Sequence, residues 1–113
     1  MSTISTHVLD TAMGKPAQGV FIIFEKLTAD GQWQKSGEGK TNSDGRLPDL
    51  ISSEIKLNIG IYRLIFDTGS YYGSHGVKGF YPSVAIVFEI SDDSHYHVPL
   101  LLNPFGYSTY RGS

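Results

Sequence analysis

Apolar side chains recur at every second position in several short segments of this chain. Residues 60–67 place Tyr62, Leu64 and Phe66 on one side of an extended segment, and residues 83–90 repeat the pattern. A period of two residues is typical of half-buried β-strands. Since 13 glycines and 5 prolines separate these segments at short intervals, the pattern predicts an all-β protein.

The spacing predicts seven or eight strands. The apolar run within residues 19–27 predicts a central strand. The mostly polar residues 33–41 follow an Asp30-Gly31 hairpin signal and predict an exposed edge strand. Strands at this spacing, with little helix, favour two antiparallel sheets packed face to face as a sandwich of about eight strands. The predicted strands are residues 4–9, 19–27, 33–41, 60–67, 83–90, 95–102 and 106–110.

One short helix is expected between the strands. Residues 48–57 and 68–77 are the candidates, and the second is favoured because Thr68 could cap its first turn. Three glycines, starting at Gly73, would end this helix early, since glycine is a poor helix former. The Gly-Lys-Pro sequence at residues 14–16 is predicted to form a turn.

Length, charge and cysteine content limit the classes of function. The 113 residues fit a single domain, 1–113, and the net charge of −2 without a Lys or Arg cluster predicts neither nucleic acid nor a membrane surface as a partner. No apolar run is long enough to span a bilayer. The absence of cysteine excludes disulfides and thiol chemistry. The first residues do not resemble a secretory signal, so the expected location is cytoplasmic.

Histidine and arginine are the residues that could supply chemistry. His95 and His97 lie two positions apart in one predicted strand, so both imidazoles point to the same face, and His7 lies in another strand. A single histidine is more often a solvated or hydrogen-bonded side chain than a functional one. On spacing alone, these three could also hold a metal ion with an open coordination position. Arg46 follows a turn, so its guanidinium would leave the sheet from a defined place.

Three motifs extend over nearly the whole chain. They are Ser-Thr-His-Val-Leu-Asp at residues 5–10 with Gly-Lys-Pro-Ala at 14–17, then Thr-Asn-Ser-Asp-Gly-Arg at 41–46, and finally His-Tyr-His-Val-Pro-Leu-Leu-Leu-Asn-Pro at 95–104, continuing to Tyr-Ser-Thr-Tyr-Arg-Gly-Ser at 107–113. Together they resemble the transthyretin-like 5-hydroxyisourate hydrolases of purine catabolism. The terminal Tyr-Arg-Gly-Ser is the most specific part, because the carrier transthyretin shares the fold without that ending or these histidines.

The resemblance implies a transthyretin-like sandwich that hydrolyses 5-hydroxyisourate to 2-oxo-4-hydroxy-4-carboxy-5-ureidoimidazoline. It implies a homotetramer with active sites where two dimers meet, and it requires no metal and no cofactor. His7, Arg46 and His97 are the implied catalytic residues, and His95 is given no catalytic role. The implied substrate-binding residues are His7, Arg46, Tyr110, Arg111, Gly112 and Ser113.

These residue types suit the reaction. An imidazole can take a proton from the water that attacks the ring carbonyl, and an arginine can stabilise the resulting oxyanion. Which of His7 and His97 is the base stays open. Two alternatives remain. A non-catalytic transthyretin-type carrier of small ligands would not need the two histidines and Arg46 together, and a zinc-dependent hydrolase would use His7, His95 and His97 as ligands.

Overall fold

The computed structural model describes residues 3–51 and 57–112. Within these residues the chain forms eight strands and one short helix, close to the predicted segments. The elements are β1 (Thr3–Asp10), β2 (Lys15–Pro16), β3 (Phe21–Leu27), β4 (Trp33–Lys40), β5 (Gly60–Phe66), α1 (Thr68–Ser74), β6 (Val84–Ile90), β7 (His95–Asn103) and β8 (Gly106–Thr109).

The strands form two four-stranded sheets, in the orders β2-β1-β7-β8 and β4-β3-β5-β6. This arrangement confirms the predicted sandwich, with β3 as a central strand and β4 as an edge strand. Five of the six strand pairings within the described residues are antiparallel, and the pairing of β1 with β7 is parallel. The parallel pair is possible because most of the chain separates the two strands, so no tight turn fixes their relative direction.

One hydrophobic core lies between the sheets. It contains Val8 and Leu100 from one sheet and Phe24, Tyr62 and Phe66 from the other, and all five are almost completely buried. The rings of Phe24 and Tyr62 stack with their centroids 5.3 Å apart. The core-facing positions predicted for β5 are therefore confirmed. Because side chains alternate along each strand, the outer face of the β2-β1-β7-β8 sheet can present polar groups.

Helix α1 occupies the favoured position but begins differently from the prediction. Its N-cap is Asp67, whose carboxylate accepts a hydrogen bond from the backbone N–H of Ser70 at 3.1 Å. Thr68 is fully buried, and its hydroxyl donates to the carbonyl of Tyr81. The prediction of Thr68 as the cap is wrong because a tertiary contact engages its hydroxyl. The helix ends early, at Ser74, as its glycines predicted. No helix in the described part of the chain is long and apolar enough to cross a membrane.

The segment around Lys15 contains a two-residue edge strand, β2, in place of a simple turn. Pro16 is tolerated there because an edge strand does not need every backbone N–H for pairing. The alternative helix at residues 48–57 includes residues 52–56, which lie outside the described residues.

Candidate active site

The parallel pairing of β1 and β7 decides which polar side chains meet. Alternate residues of β1 are buried in the core, so Thr3, Ser5 and His7 point outward. In the register of the two strands, Thr3 lies beside His95, and Ser5 lies beside His97. Paired residues share one face of a sheet, so this outer surface presents three imidazoles together. We call the surface formed by these five residues the histidine face.

A tight turn adds Arg46 to the histidine face. The preceding Gly45 has a φ of +73°, and a Cβ there would lie 2.4 Å from the carbonyl oxygen of Val8, so only glycine fits. This close approach lets the backbone N–H of Val8 donate to the carbonyl of Gly45 at 2.8 Å. Arg46 then pairs with His7 in an isolated antiparallel bridge, which directs both side chains to the same face.

A hydrogen bond orients the imidazole of His97, and its surroundings lower its pKa. Its Nδ1 lies 2.7 Å from Oγ of Ser5, and the same oxygen lies 2.8 Å from Nε2 of His95. Burial lowers the pKa of His97 below its ordinary value, and the nearby charges of Arg46, His7 and His95 lower it further. The neutral imidazole, which can accept a proton, is therefore favoured near neutral pH.

The C-terminal tail lies against the His97 side of this face. The backbone N–H of Gly112 donates to the carbonyl of His97 at 2.8 Å in an isolated antiparallel bridge. A Cβ at position 112 would lie 2.5 Å from Cδ2 of the His97 ring. Glycine at this position therefore allows the tail to pack directly against the imidazole.

The described contacts of the Arg111 side chain are with residues outside the histidine face. Its guanidinium lies 4.3 Å from the centre of the Tyr96 ring, and one of its N–H groups donates to the hydroxyl of Ser94 at 3.0 Å. These contacts anchor the tail through a cation–π interaction and a hydrogen bond. Tyr110 is 58% exposed, and Ser113 lies outside the described residues. The substrate-binding roles of these three residues stay predictions.

The structure thus brings together four of the predicted site residues, His7, Arg46, His97 and Gly112. Sequence reasoning gave no role to Ser5, which contacts two of the imidazoles. Its position two residues before His7 is a signal that it shares a face with that histidine. Its contact with β7, however, follows from the register between the strands, which the sequence did not reveal.

The metal arrangement considered from spacing is not formed in the described part of the chain. No three His, Asp or Glu side chains there lie close enough to hold an ion together. Instead, His95 and His97 are each hydrogen-bonded to the hydroxyl of Ser5.

The fold and the histidine face together define a transthyretin-like β-sandwich with titratable side chains on one sheet. The model of the HIUase/transthyretin family matches residues 4–112. The 5-hydroxyisourate hydrolase of Mus musculus is 48% identical, over 99% of this chain and 96% of that protein. The chain belongs to the HIUase/transthyretin family.

Solved structures show the same likeness. The structure of a 5-hydroxyisourate hydrolase from Klebsiella pneumoniae matches with a TM-score of 0.87 and 36% identity, over 100% of both chains. Sea bream transthyretin in complex with thyroxine matches with a TM-score of 0.90 and 32% identity, over 96% of this chain and 93% of that one. The family fold is thus found in proteins described as hydrolases and in a protein that binds thyroxine.

Proposed function

We propose that this protein hydrolyses 5-hydroxyisourate in urate degradation, opening the cyclic amide to give 2-oxo-4-hydroxy-4-carboxy-5-ureidoimidazoline. The observation that supports this most is the pairing of Arg46 with His7 on the face that also bears His97. Relatives named for this activity are 48% and 36% identical over nearly the whole chain. A carrier of small ligands would have no use for a base and a guanidinium held side by side.

The reaction needs a base and a group that stabilises negative charge. His7 and His97 position the attacking water, and the imidazole of His97 takes its proton as the oxygen adds to the ring carbonyl. The lowered pKa of His97 keeps this imidazole neutral and able to accept a proton. The guanidinium of Arg46, which is always charged and has several N–H donors, stabilises the oxyanion. When the ring C–N bond breaks, the protonated imidazole returns its proton to the leaving nitrogen.

The C-terminal tail completes the substrate site in this proposal. Tyr110, Arg111, Gly112 and Ser113 form its substrate-binding segment. The support comes from the bridge between Gly112 and His97, which holds Gly112 beside a catalytic imidazole.

The proposed assembly is a cytoplasmic homotetramer, with each active site where two dimers meet. The histidine face is an open sheet surface, and a second copy could cover it and exclude water from the bound substrate. Strands β6 and β8 are edge strands, and an apolar groove lined by Ile86, Phe88, Tyr96 and Val98 lies between them. Exposed edges and apolar grooves favour association. Sedimentation velocity at micromolar concentration should give a tetramer, and an active monomer would contradict this assembly.

The activity is tested by following the ultraviolet absorbance of 5-hydroxyisourate generated from urate in the same cuvette. The protein should accelerate its decay, whereas a carrier would bind the compound without turnover. His7→Asn, Arg46→Gln and His97→Asn should each lower kcat by roughly 10²- to 10⁴-fold while the fold is retained. His75→Asn, at the end of α1, is the matched control and should keep the full rate. Wild-type rates in folded His7→Asn and His97→Asn would show that the assigned mechanism is wrong.

A further inference from the structure

Ser5 connects two imidazoles of the histidine face through one hydroxyl group. Its Oγ lies 2.7 Å from Nδ1 of His97 and 2.8 Å from Nε2 of His95. On the far side, Nδ1 of His95 is hydrogen-bonded to the hydroxyl of Thr3. Three side chains of β1 and β7 thus continue the hydrogen-bond chain that starts at His97.

A serine hydroxyl has one hydrogen, so it can donate to only one of the two imidazoles. In the first arrangement, Nδ1–H of His97 donates to Ser5, and Ser5 donates to Nε2 of His95. In the second arrangement, Nε2–H of His95 donates to Ser5, and Ser5 donates to Nδ1 of His97. The direction of the chain therefore sets which nitrogen of His97 carries the proton.

Only the first arrangement leaves a lone pair on Nε2 of His97. This nitrogen has no hydrogen-bond partner among the side chains that the structure describes. When Nε2 takes a proton from water, Nδ1–H keeps donating to Ser5, so the network needs no rearrangement during the reaction. The second arrangement would put the proton on Nε2, and His97 could not then act as a base there.

We propose that Ser5 is a positioning residue, which holds His97 with its proton on Nδ1 and its lone pair on Nε2. Ser5 accepts from His97 and passes its own hydrogen to His95, whose Nδ1–H donates to Thr3. This inference rests on the proposed function, in which His97 takes a proton from water. In this arrangement Nε2 of His95 accepts the hydrogen of Ser5 and so keeps the Ser5 hydroxyl oriented. The role parallels that of the third group of a catalytic triad, which fixes the tautomer of a histidine base.

The tautomer can be measured without any substrate. Long-range ¹H–¹⁵N correlation spectra of ¹⁵N-histidine-labelled protein at pH 8 distinguish a protonated Nδ1 from a protonated Nε2. The His97 signals are assigned as those missing from His97→Asn. Wild-type protein should carry the proton of His97 on Nδ1. Ser5→Ala should transfer a large part of this population to Nε2, and Ser5→Thr, which keeps the hydroxyl, should restore Nδ1.

Kinetics provide the second measurement. Ser5→Ala should lower kcat by roughly 10- to 100-fold, which is part of the contribution that a correctly oriented base makes, and KM should stay within about twofold. Ser5→Thr should recover most of kcat. The matched control is Ser36→Ala, because Ser36 is a partly buried serine in β4 of the other sheet. It should leave kcat and the His97 spectrum unchanged.

The experiments can refute the proposed function and the positioning role of Ser5 independently of each other. If wild-type protein does not hydrolyse 5-hydroxyisourate, the proposed function is wrong, and the spectra still report the tautomer that Ser5 sets. If wild-type His97 carries its proton on Nε2, the positioning role of Ser5 is overturned while the hydrolase activity stands. A folded Ser5→Ala variant with wild-type kcat, or a Ser5→Thr variant as slow as Ser5→Ala, would overturn it as well.

Discussion

Replacing Gly112 with alanine should reduce catalysis much more than stability. The added Cβ would lie 2.5 Å from Cδ2 and 3.2 Å from Cγ of the His97 ring. Carbon atoms in contact normally lie about 3.5 Å or more apart, so the ring and the tail must separate by roughly 1 Å. A displacement of about 1 Å at a catalytic group can cost about 100-fold in rate. We therefore expect kcat/KM of Gly112→Ala to fall by about that factor.

The cost in stability should be small because the tail can move away from the sheet. That movement breaks the 2.8 Å hydrogen bond from Gly112 to the carbonyl of His97, and a hydrogen bond contributes about 1 kcal/mol net. The expected fall in Tm is about 5 °C. The matched control is Gly73→Ala in α1, where nothing lies within 4 Å of the added Cβ. Alanine favours a helix over glycine, so this variant should keep its rate and its Tm.

The assay is the decay of 5-hydroxyisourate absorbance together with thermal unfolding followed by circular dichroism. The reasoning would be refuted if folded Gly112→Ala turned over substrate at the wild-type rate. It would also be refuted if the loss of activity matched the fraction of unfolded protein, since the ring displacement would then have no effect of its own.

Three further predictions concern stability, pH dependence and the need for a metal. Tyr71→Phe should lower the free energy of unfolding, measured in urea, by about 1–3 kcal/mol, because the buried carboxylate of Asp10 loses the hydroxyl that donates to it at 2.7 Å. The control Tyr107→Phe, at an exposed site, should change this free energy by less than about 0.5 kcal/mol. On the acid side, kcat/KM should fall with a midpoint below the ordinary histidine pKa of about 6.5, since burial and then the charge of Arg46 lower the pKa of His97. Arg46→Gln should raise the midpoint of His97 in an NMR titration. An acid midpoint of kcat/KM above about 6.5 would contradict this reasoning. Prolonged EDTA treatment should leave the rate unchanged, and a rate restored only by added zinc would overturn the metal-free mechanism.

Local periodicity in the sequence determined the strands and their buried sides. The alternation of Tyr62, Leu64 and Phe66 predicted the core face of β5, and all three side chains are buried. The same two-residue period predicted that His95 and His97 share one face, which their common contact with Ser5 confirms. These features are readable because the side-chain period of a strand is a property of its own backbone.

The sequence could also assign the family, because its motifs include residues of β1 and β7 and the turn before Arg46, which carry the histidine face. The resemblance carried by these motifs is confirmed by the family model, which matches residues 4–112. These motifs named the candidate catalytic residues without giving their spatial relation. The prediction of Thr68 as a helix cap, by contrast, used local preference alone and was overridden by a buried contact with Tyr81.

Only the tertiary structure decided how the first and the seventh strands meet. Their parallel register sets Ser5 beside His97, and a shift by one residue would turn Ser5 into the core. The close approach of Gly45 to Val8, which pairs Arg46 with His7, likewise depends on how a loop packs on the sheet. Such contacts join residues far apart in the chain. They are fixed by the packing of all strands together, so no local pattern in the sequence specifies them.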